Sequence, residues 1–313
     1  MNVMRTHLHS SSPSGSASET RSHIPVLLHE VVDSLALDPT DIVFDGTLGE
    51  GGHGIELAQR LGANGIFCGV DADGEALERV RVKFRDVPCT VILEKENHKN
   101  IRTFASTHSI TAFNKILLDL GWGTHTLSSA RGFSFNTEDP LIMTYDDAPT
   151  GDAVTAYDVI NHWSEETLHT IFKHWGEEPR ARKIAEHICE VRKREEIRTS
   201  KQLGDIVAEV VPKMGKTHPA TKVFQALRIA VNDEMRILND TLPEFIDLLA
   251  PGGRLAIITF HSIEDRIVKY FFKESVEKGL GTLLHKKALQ ATRTEQLANP
   301  RSRSAKLRIF IKK

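Results

Sequence analysis

The sequence predicts an α/β fold: a sheet of largely parallel strands with helices on both faces, interrupted by an inserted all-helical domain. Three observations carry this expectation. Short apolar runs alternate with helix-length segments from residue 42 to 121, and parallel strands need crossovers of that length, which are right-handed. Between 146 and 220 no strand-like run occurs, only helical stretches such as AVTAYDVINHW, SEETLHTIFKHW and RARKIAEHICEVRKR. The alternation then resumes and closes on AKLRIFIKK.

The elements follow in order. Residues 1–22 are rich in serine and poor in apolar groups, so they cannot offset the entropy of ordering and are expected to form a disordered tail. In HIPVLLHEVVDSL, Val31 and Leu35 continue the apolar spacing of Leu27 and Leu28 along a short helix. IVFDG (42–46) reads as a buried strand, HGIELAQRLG (53–62) as a helix closed by Gly62, and GIFCGVD (65–71) as the next strand. Asp73 can cap a helix carrying Leu77, Val80 and Phe84 on one face. The strand CTVILE (89–94), a helix over 98–107 and the strand KILLDLG (115–121) complete the first part, 23–145. The second part, 221–313, opens on one long helix bearing Phe224, Leu227, Val231, Met235, Leu238 and Leu242, followed by the strand RLAIITF (254–260), a helix and a last strand.

Composition sets outer limits on function. At 313 residues the chain can bury one α/β core plus an insertion. Its 40 basic and 42 acidic residues give a net charge of -2, so any nucleic-acid contact must use a local patch. Cys68, Cys89 and Cys189 lack metal-site spacing, which fits reduced thiols and argues against a zinc site. No apolar run approaches the roughly 20 residues of a bilayer span, and a soluble, cytoplasmic protein is expected.

The chemistry concentrates on DGTLGEGGH (45–53). A strand ending in Asp45, a turn with Gly46, Gly49, Gly51 and Gly52, and a following helix form a nucleotide-binding arrangement, because glycine permits positive φ and close ligand approach. Asp71 ends the second strand, where a carboxylate can accept hydrogen bonds from two ribose hydroxyls. NAD and S-adenosyl-L-methionine both carry an adenosine and stay open on these features alone. The spacing departs from G-x-G-x-x-G and Asp45 precedes the first glycine. A sulfonium tolerates nearby carboxylates and brings no pyrophosphate, which favours the methyl donor.

From His23 onward the chain resembles the RsmH, or MraW, methylase family. The matching segments include HIPVLLHEVV (23–32), DGTLGEGGH, GVDAD (69–73), ILLDLG (116–121), RGFSF (131–135), HPATKVFQALRIAVNDE (218–234), PGGRLAIITFHSIEDRIVK (251–269) and NPRSRSAKLR (299–308), all in order. The resemblance implies a Rossmann-like class I methyltransferase sheet, S-adenosyl-L-methionine as cofactor, and methylation of the exocyclic N4 of a cytidine in the decoding region of small-subunit (16S-type) ribosomal RNA. It carries cofactor contacts onto Gly51, Gly52, His53, Asp71 and Asp119, places an adenine-side residue at His98, and puts Thr126 where the family has a glutamine. The chain departs from the family where DPLIMTY (139–145) replaces GPLDMRM.

In that frame Asp119, at the open end of a strand, either positions and deprotonates the amine or caps the following turn. Trp122 either stacks an extruded base or packs in the core. His261, in FHSIED (260–265), is a second catalytic candidate, with Ser262 and Asp265 reading as a capping box. Phosphate contacts are expected from Arg180, Arg182, Lys183, Arg192, Lys193, Arg194 and Arg198, or from Arg301, Arg303, Lys306 and Arg308. The partner implied is small-subunit ribosomal RNA or an assembling small subunit, with a homodimer left open. The alternatives are an NAD-dependent oxidoreductase and a non-catalytic RNA-binding assembly protein.

Overall fold

In the computed structural model, residues 24–121, 129–147, 151, 153–212 and 218–313 are described. Trp122, Thr126 and the tail 1–22 lie outside them. Seven strands, β1 (Ile42–Asp45), β2 (Ile66–Asp71), β3 (Thr90–Lys95), β4 (Phe113–Asp119), β5 (Leu249–Thr259), β6 (Gly281–Leu283) and β7 (Lys306–Lys312), form one sheet. Its order is β3-β2-β1-β4-β5-β7-β6. The first five strands are parallel, whereas β7 runs antiparallel to β5 and β6 antiparallel to β7. Neither β6 nor the reversal of β7 was foreseen: three residues are too short a run to read, and a strand's own pattern does not carry its direction. β5 also begins before Arg254: Leu249 pairs with Phe113 ahead of a register shift.

The apolar runs are near-continuous because both faces of the sheet are covered. Alternate residues go to opposite cores: Phe44, Leu118 and Ile257 to one, Val43, Leu117 and Ile258 to the other. The second face is packed by α1 (Leu28–Leu35), α2 (Gly52–Ala58) and α3 (Gly74–Arg81), and the first by α4 (Ile101–Thr107). Asp73 caps α3 through Oδ1, which accepts from the Ala76 N–H at 3.1 Å.

Four helices, α5 (Ala156–His162), α6 (Glu165–His174), α7 (Ala181–Arg192) and α8 (Ser200–Val210), occupy the expected insertion. Their core also takes in Phe133, Leu141 and Met143 before it, and Val223, Phe224 and Leu227 after it. We propose that this helical unit, 146–220, recognises substrate. The chain then forms α9 (Thr221–Asn232) and α10 (Glu234–Leu248), not the single long helix expected. The break is Asp233, which adopts φ 51, a left-handed conformation that aspartate tolerates better than most residues. Helices α11 (Ser262–Glu277) and α12 (Arg293–Ala298) flank the last two strands.

Candidate active site

Three neighbouring parallel strands each end in an aspartate: Asp45 on β1, Asp71 on β2 and Asp119 on β4. That is the edge of a parallel sheet where ligands bind. A cavity of about 1370 Å³, its open mouth included, lies there. Gly46, Thr47, Gly49, Gly52, His53, Asp71, His98, Asp119, Tyr145, Glu234, Glu264 and Arg301 contribute to its wall.

The glycine turn is held by the sheet beneath it. Gly46 N–H donates to the Leu117 carbonyl and Leu48 N–H to that of Val70, both at 3.0 Å. The Asp119 N–H donates to Thr47 Oγ1 at 2.6 Å, joining the turn to β4. Gly49 and Gly51 have φ 52 and 73, so glycine is needed at both for conformation. Gly46 is glycine for space: a Cβ there would lie 2.6 Å from Leu118 Cδ2 and 2.9 Å from His98 Cβ. Gly46→Ala is therefore expected to displace His98 and cost about 1–3 kcal/mol, measurable as a lower Tm together with weaker cofactor binding.

The acids divide by position. Asp45 is buried, its Oδ1 accepting from the Thr47 N–H at 3.0 Å, and it braces the turn from below instead of lining the cavity. Asp71 does line it. Its two oxygens accept from the N–H groups of Gly49 at 2.7 Å and Asp73 at 2.9 Å, which fixes the carboxylate plane. Asp119 presents Oδ1 buried and without a hydrogen-bond partner among the described residues, a costly arrangement that calls for a ligand. Burial pushes the carboxyls of Asp45 and Asp119 up to about 7, that of Asp119 despite the opposing charge of Arg301, and raises that of Asp71.

Two histidines are neutral in this setting. Burial lowers His98 to about 4, and its ring lies 6.2 Å from that of Phe245 at the cavity wall. Burial also lowers His53, whose Nε2 is 2.9 Å from the Val26 carbonyl and whose Nδ1 is 3.5 Å from Asp119 Oδ2. Gly51 does not line the cavity among the described residues; it starts α2 in a left-handed cap. Gly52 lies at the wall, where a Cβ would meet Pro25 Cγ at 2.5 Å.

His261 is placed differently from expectation. It is the N-cap of α11, its Nδ1 accepting from the Glu264 N–H at 3.4 Å and its Nε2 donating to Glu264 Oε1 at 2.9 Å. The capping box is thus His261 with Glu264, one residue earlier than the Ser262 and Asp265 pairing read from sequence. Ser262 Oγ instead donates to Glu177 Oε2 at 2.6 Å, and Asp265 receives Lys306 and Arg308 at 2.9 and 2.8 Å. Those two bonds also remove Lys306 and Arg308 from the expected surface run, while Arg301 turns into the cavity.

Residues at the cavity wall and behind it escaped the sequence reading. Arg228, buried inside α9, forms a double hydrogen bond with Glu234 (Nε–Oε1 2.6 Å, Nη2–Oε2 2.7 Å) and lies 3.6 Å from Glu264 Oε1. The Tyr145 hydroxyl donates to Glu234 Oε1 at 2.9 Å. A charge flanked by Leu227 and Ile229 was the available signal. Arg131 joins the second strand's loop to this group, bonding Asp73 Oδ2 at 2.7 Å and the Tyr145 carbonyl at 2.8 Å.

A sheet ordered β3-β2-β1-β4-β5-β7-β6 with β7 reversed, and a glycine turn facing acids at its carboxyl edge, define a class I methyltransferase fold. The chain belongs to the MraW methylase family, whose sequence profile matches residues 20–313. It is 42% identical over 289 residues to "Ribosomal RNA small subunit methyltransferase H" of Dictyoglomus turgidum, covering 92% of this chain and 96% of the other. The protein of the same name from Deinococcus radiodurans is 41% identical and covers 99% of this chain and 97% of its own length. The one from Acetivibrio thermocellus is 41% identical over 311 residues, covering 93% and 98%. Membership in a methylase family sets the oxidoreductase alternative aside.

Proposed function

We propose that this protein transfers the methyl group of S-adenosyl-L-methionine to the exocyclic N4 of a cytidine in the decoding region of 16S-type small-subunit ribosomal RNA, free or in an assembling subunit. The observation that carries the reading is the Asp119 carboxyl, which joins the wall of the cavity over the glycine turn and keeps one oxygen without a partner among the described residues. The donor set fits the cofactor: a fixed carboxylate for ribose at Asp71, a neutral ring beside the adenine at His98, and a turn open to close approach at Gly49.

When bound, S-adenosyl-L-methionine supplies a methyl group made electrophilic by its sulfonium. The protein must orient an amine whose lone pair is delocalised into the cytosine ring and must receive one of its protons. The Asp119 carboxylate accepts that N–H, holding the nitrogen in line and taking the proton as the new bond forms. His261 acts at one remove, by fixing Glu264 at the cavity wall. RNA is held by charges such as Arg182, Lys193 and Arg198, whose partners Glu166, Glu190 and Glu196 are exposed. Exposed pairs contribute little, so exchange for phosphate costs little. No helix among the described residues is long and apolar enough to cross a membrane, which fits work on cytoplasmic ribosomes.

The test is methyl transfer from labelled donor to small-subunit RNA lacking the modification, with the digested nucleosides identified by mass spectrometry. N4-methylcytidine is the expected product. Label at another atom, or RNA binding without turnover, overturns the proposal. Asp71→Asn is expected to raise the cofactor Kd about tenfold or more by calorimetry, since hydrogen bonds to a charged acceptor contribute about 1.5–3 kcal/mol.

A further inference from the structure

We infer that His53 and Asp119 form a buried pair with a single proton site between two facing acceptors, and that His53, acting through Asp119, positions the carboxylate for the proton released by the substrate amine. This deepens the role of Asp119 proposed above and rests on it.

The argument begins at the far side of the imidazole. His53 Nε2 lies 2.9 Å from the Val26 carbonyl, which can only accept, so Nε2 carries the ring hydrogen. In the neutral ring Nδ1 is then a bare lone pair. It faces Asp119 Oδ2 at 3.5 Å, beyond the 2.7–3.2 Å or so of a nitrogen–oxygen hydrogen bond. An ionised carboxylate has no hydrogen to offer either. One proton placed between the two atoms converts the contact into a hydrogen bond.

Burial disfavours an imidazolium at His53 and pushes the Asp119 carboxyl up, so the site between them fills when the carboxyl takes a proton. Asp45 and Glu295 face His53, Asp71 stands beside Asp45, and Arg301 and Glu264 face Asp119. The Asp119 N–H is already spent on Thr47. His53 is 6% exposed, which disfavours a resting imidazolium. The remaining approach to the carboxyl is from the cavity, whose wall Asp119 joins with its side chain 20% exposed.

The step balances without a further reagent. The N4 lone pair forms the N–C bond, the C–S bond breaks with its electron pair going to sulfur, and an N–H bond breaks with its pair returning to nitrogen. The proton lands on the Asp119 carboxylate, which presents it to His53 Nδ1 across the 3.5 Å contact. His53 is thus a positioning residue, distinct from a simple cofactor ligand.

His53→Asn, Asp119→Asn and the wild type would be compared for cofactor Kd, KM, kcat and the pH dependence of kcat. Asparagine at 53 puts an amide donor where Nδ1 stands and fills the gap with a permanent hydrogen. The expected result is a cofactor Kd within threefold of wild type and a kcat lower by about tenfold or more. The acid limb of the pH profile should also move down by about one unit, because a donor stabilises the carboxylate. An unchanged kcat and limb in His53→Asn, with Asp119→Asn inactive, overturns the inference and leaves the Asp119 reading standing. A loss confined to cofactor Kd overturns it as well. Full activity in Asp119→Asn instead sinks the underlying proposal. Nitrogen NMR of His53 in the wild type gives a reading independent of any variant: Nδ1 unprotonated at pH 8 is expected, and a protonated Nδ1 overturns the inference.

Discussion

Asp119→Asn is expected to lower kcat by about 10²–10⁴-fold, the range a positioned acid or base contributes, and to make the protein more stable at the same time. The side chain keeps its shape but loses the capacity to take a proton. The stability effect follows from the carboxyl being pushed up to about 7 by burial in the folded chain, against an ordinary value of 3.8. A raised acid binds its proton more tightly when folded, so its ionisation destabilises the fold progressively as pH climbs from about 4 through about 7. At 1.36 kcal/mol per unit, complete removal of that penalty is worth on the order of 2–4 kcal/mol. The Tm advantage of Asp119→Asn over wild type should therefore be small at pH 4.5 and largest at pH 8. An inactive variant with no such pH-dependent advantage would mean that Asp119 is solvated or paired in solution.

The sheet was legible where local pattern and burial agree. Val43 and Phe44, or Leu117 and Leu118, are apolar at consecutive positions because opposite faces are both covered. The aspartates at the strand ends stand out as the charges that close these apolar runs. Other features depend on contacts between distant segments. Asp265 reads as a capping partner until β7, some forty residues later, brings Lys306 and Arg308 to it. Arg301 reads as one more basic residue in NPRSRSAKLR until its turn places it over Asp119 and Glu50. The Asp233 break is hidden inside an unbroken helical periodicity, since Leu227, Val231, Met235 and Leu238 keep their spacing across it. Gly51 was legible as necessary but not as what it is: its φ of 73 gives it a backbone role, whereas neighbouring Gly49 and Gly52 reach the cavity wall.

That break has an energetic consequence, because it turns Glu234 back toward Arg228. Arg228 is 2% exposed and holds Glu234, with the side chain of Glu264 close by and itself 2% exposed. Arg228→Met is expected to lower stability by about 3–5 kcal/mol, since removing one partner leaves buried carboxylates uncompensated. For a chain of this size that is a fall in Tm on the order of 10 °C. The sign of its pH dependence is opposite to that at Asp119. Burial alone would raise Glu264, but the His261 hydrogen bond and the Arg228 charge hold it below its ordinary value. Its favourable contribution is present at neutral pH and lost as pH falls through the folded value. The deficit of Arg228→Met should accordingly shrink toward pH 4, where the orphaned carboxylates protonate. Arg228→Met combined with Glu234→Gln and Glu264→Gln should recover most of the lost stability without acid. Because Glu234, Glu264 and Tyr145 all stand in the cavity wall, that repaired variant separates fold from function: restored Tm with methyl transfer still impaired is the result expected of a charge cluster that shapes the site.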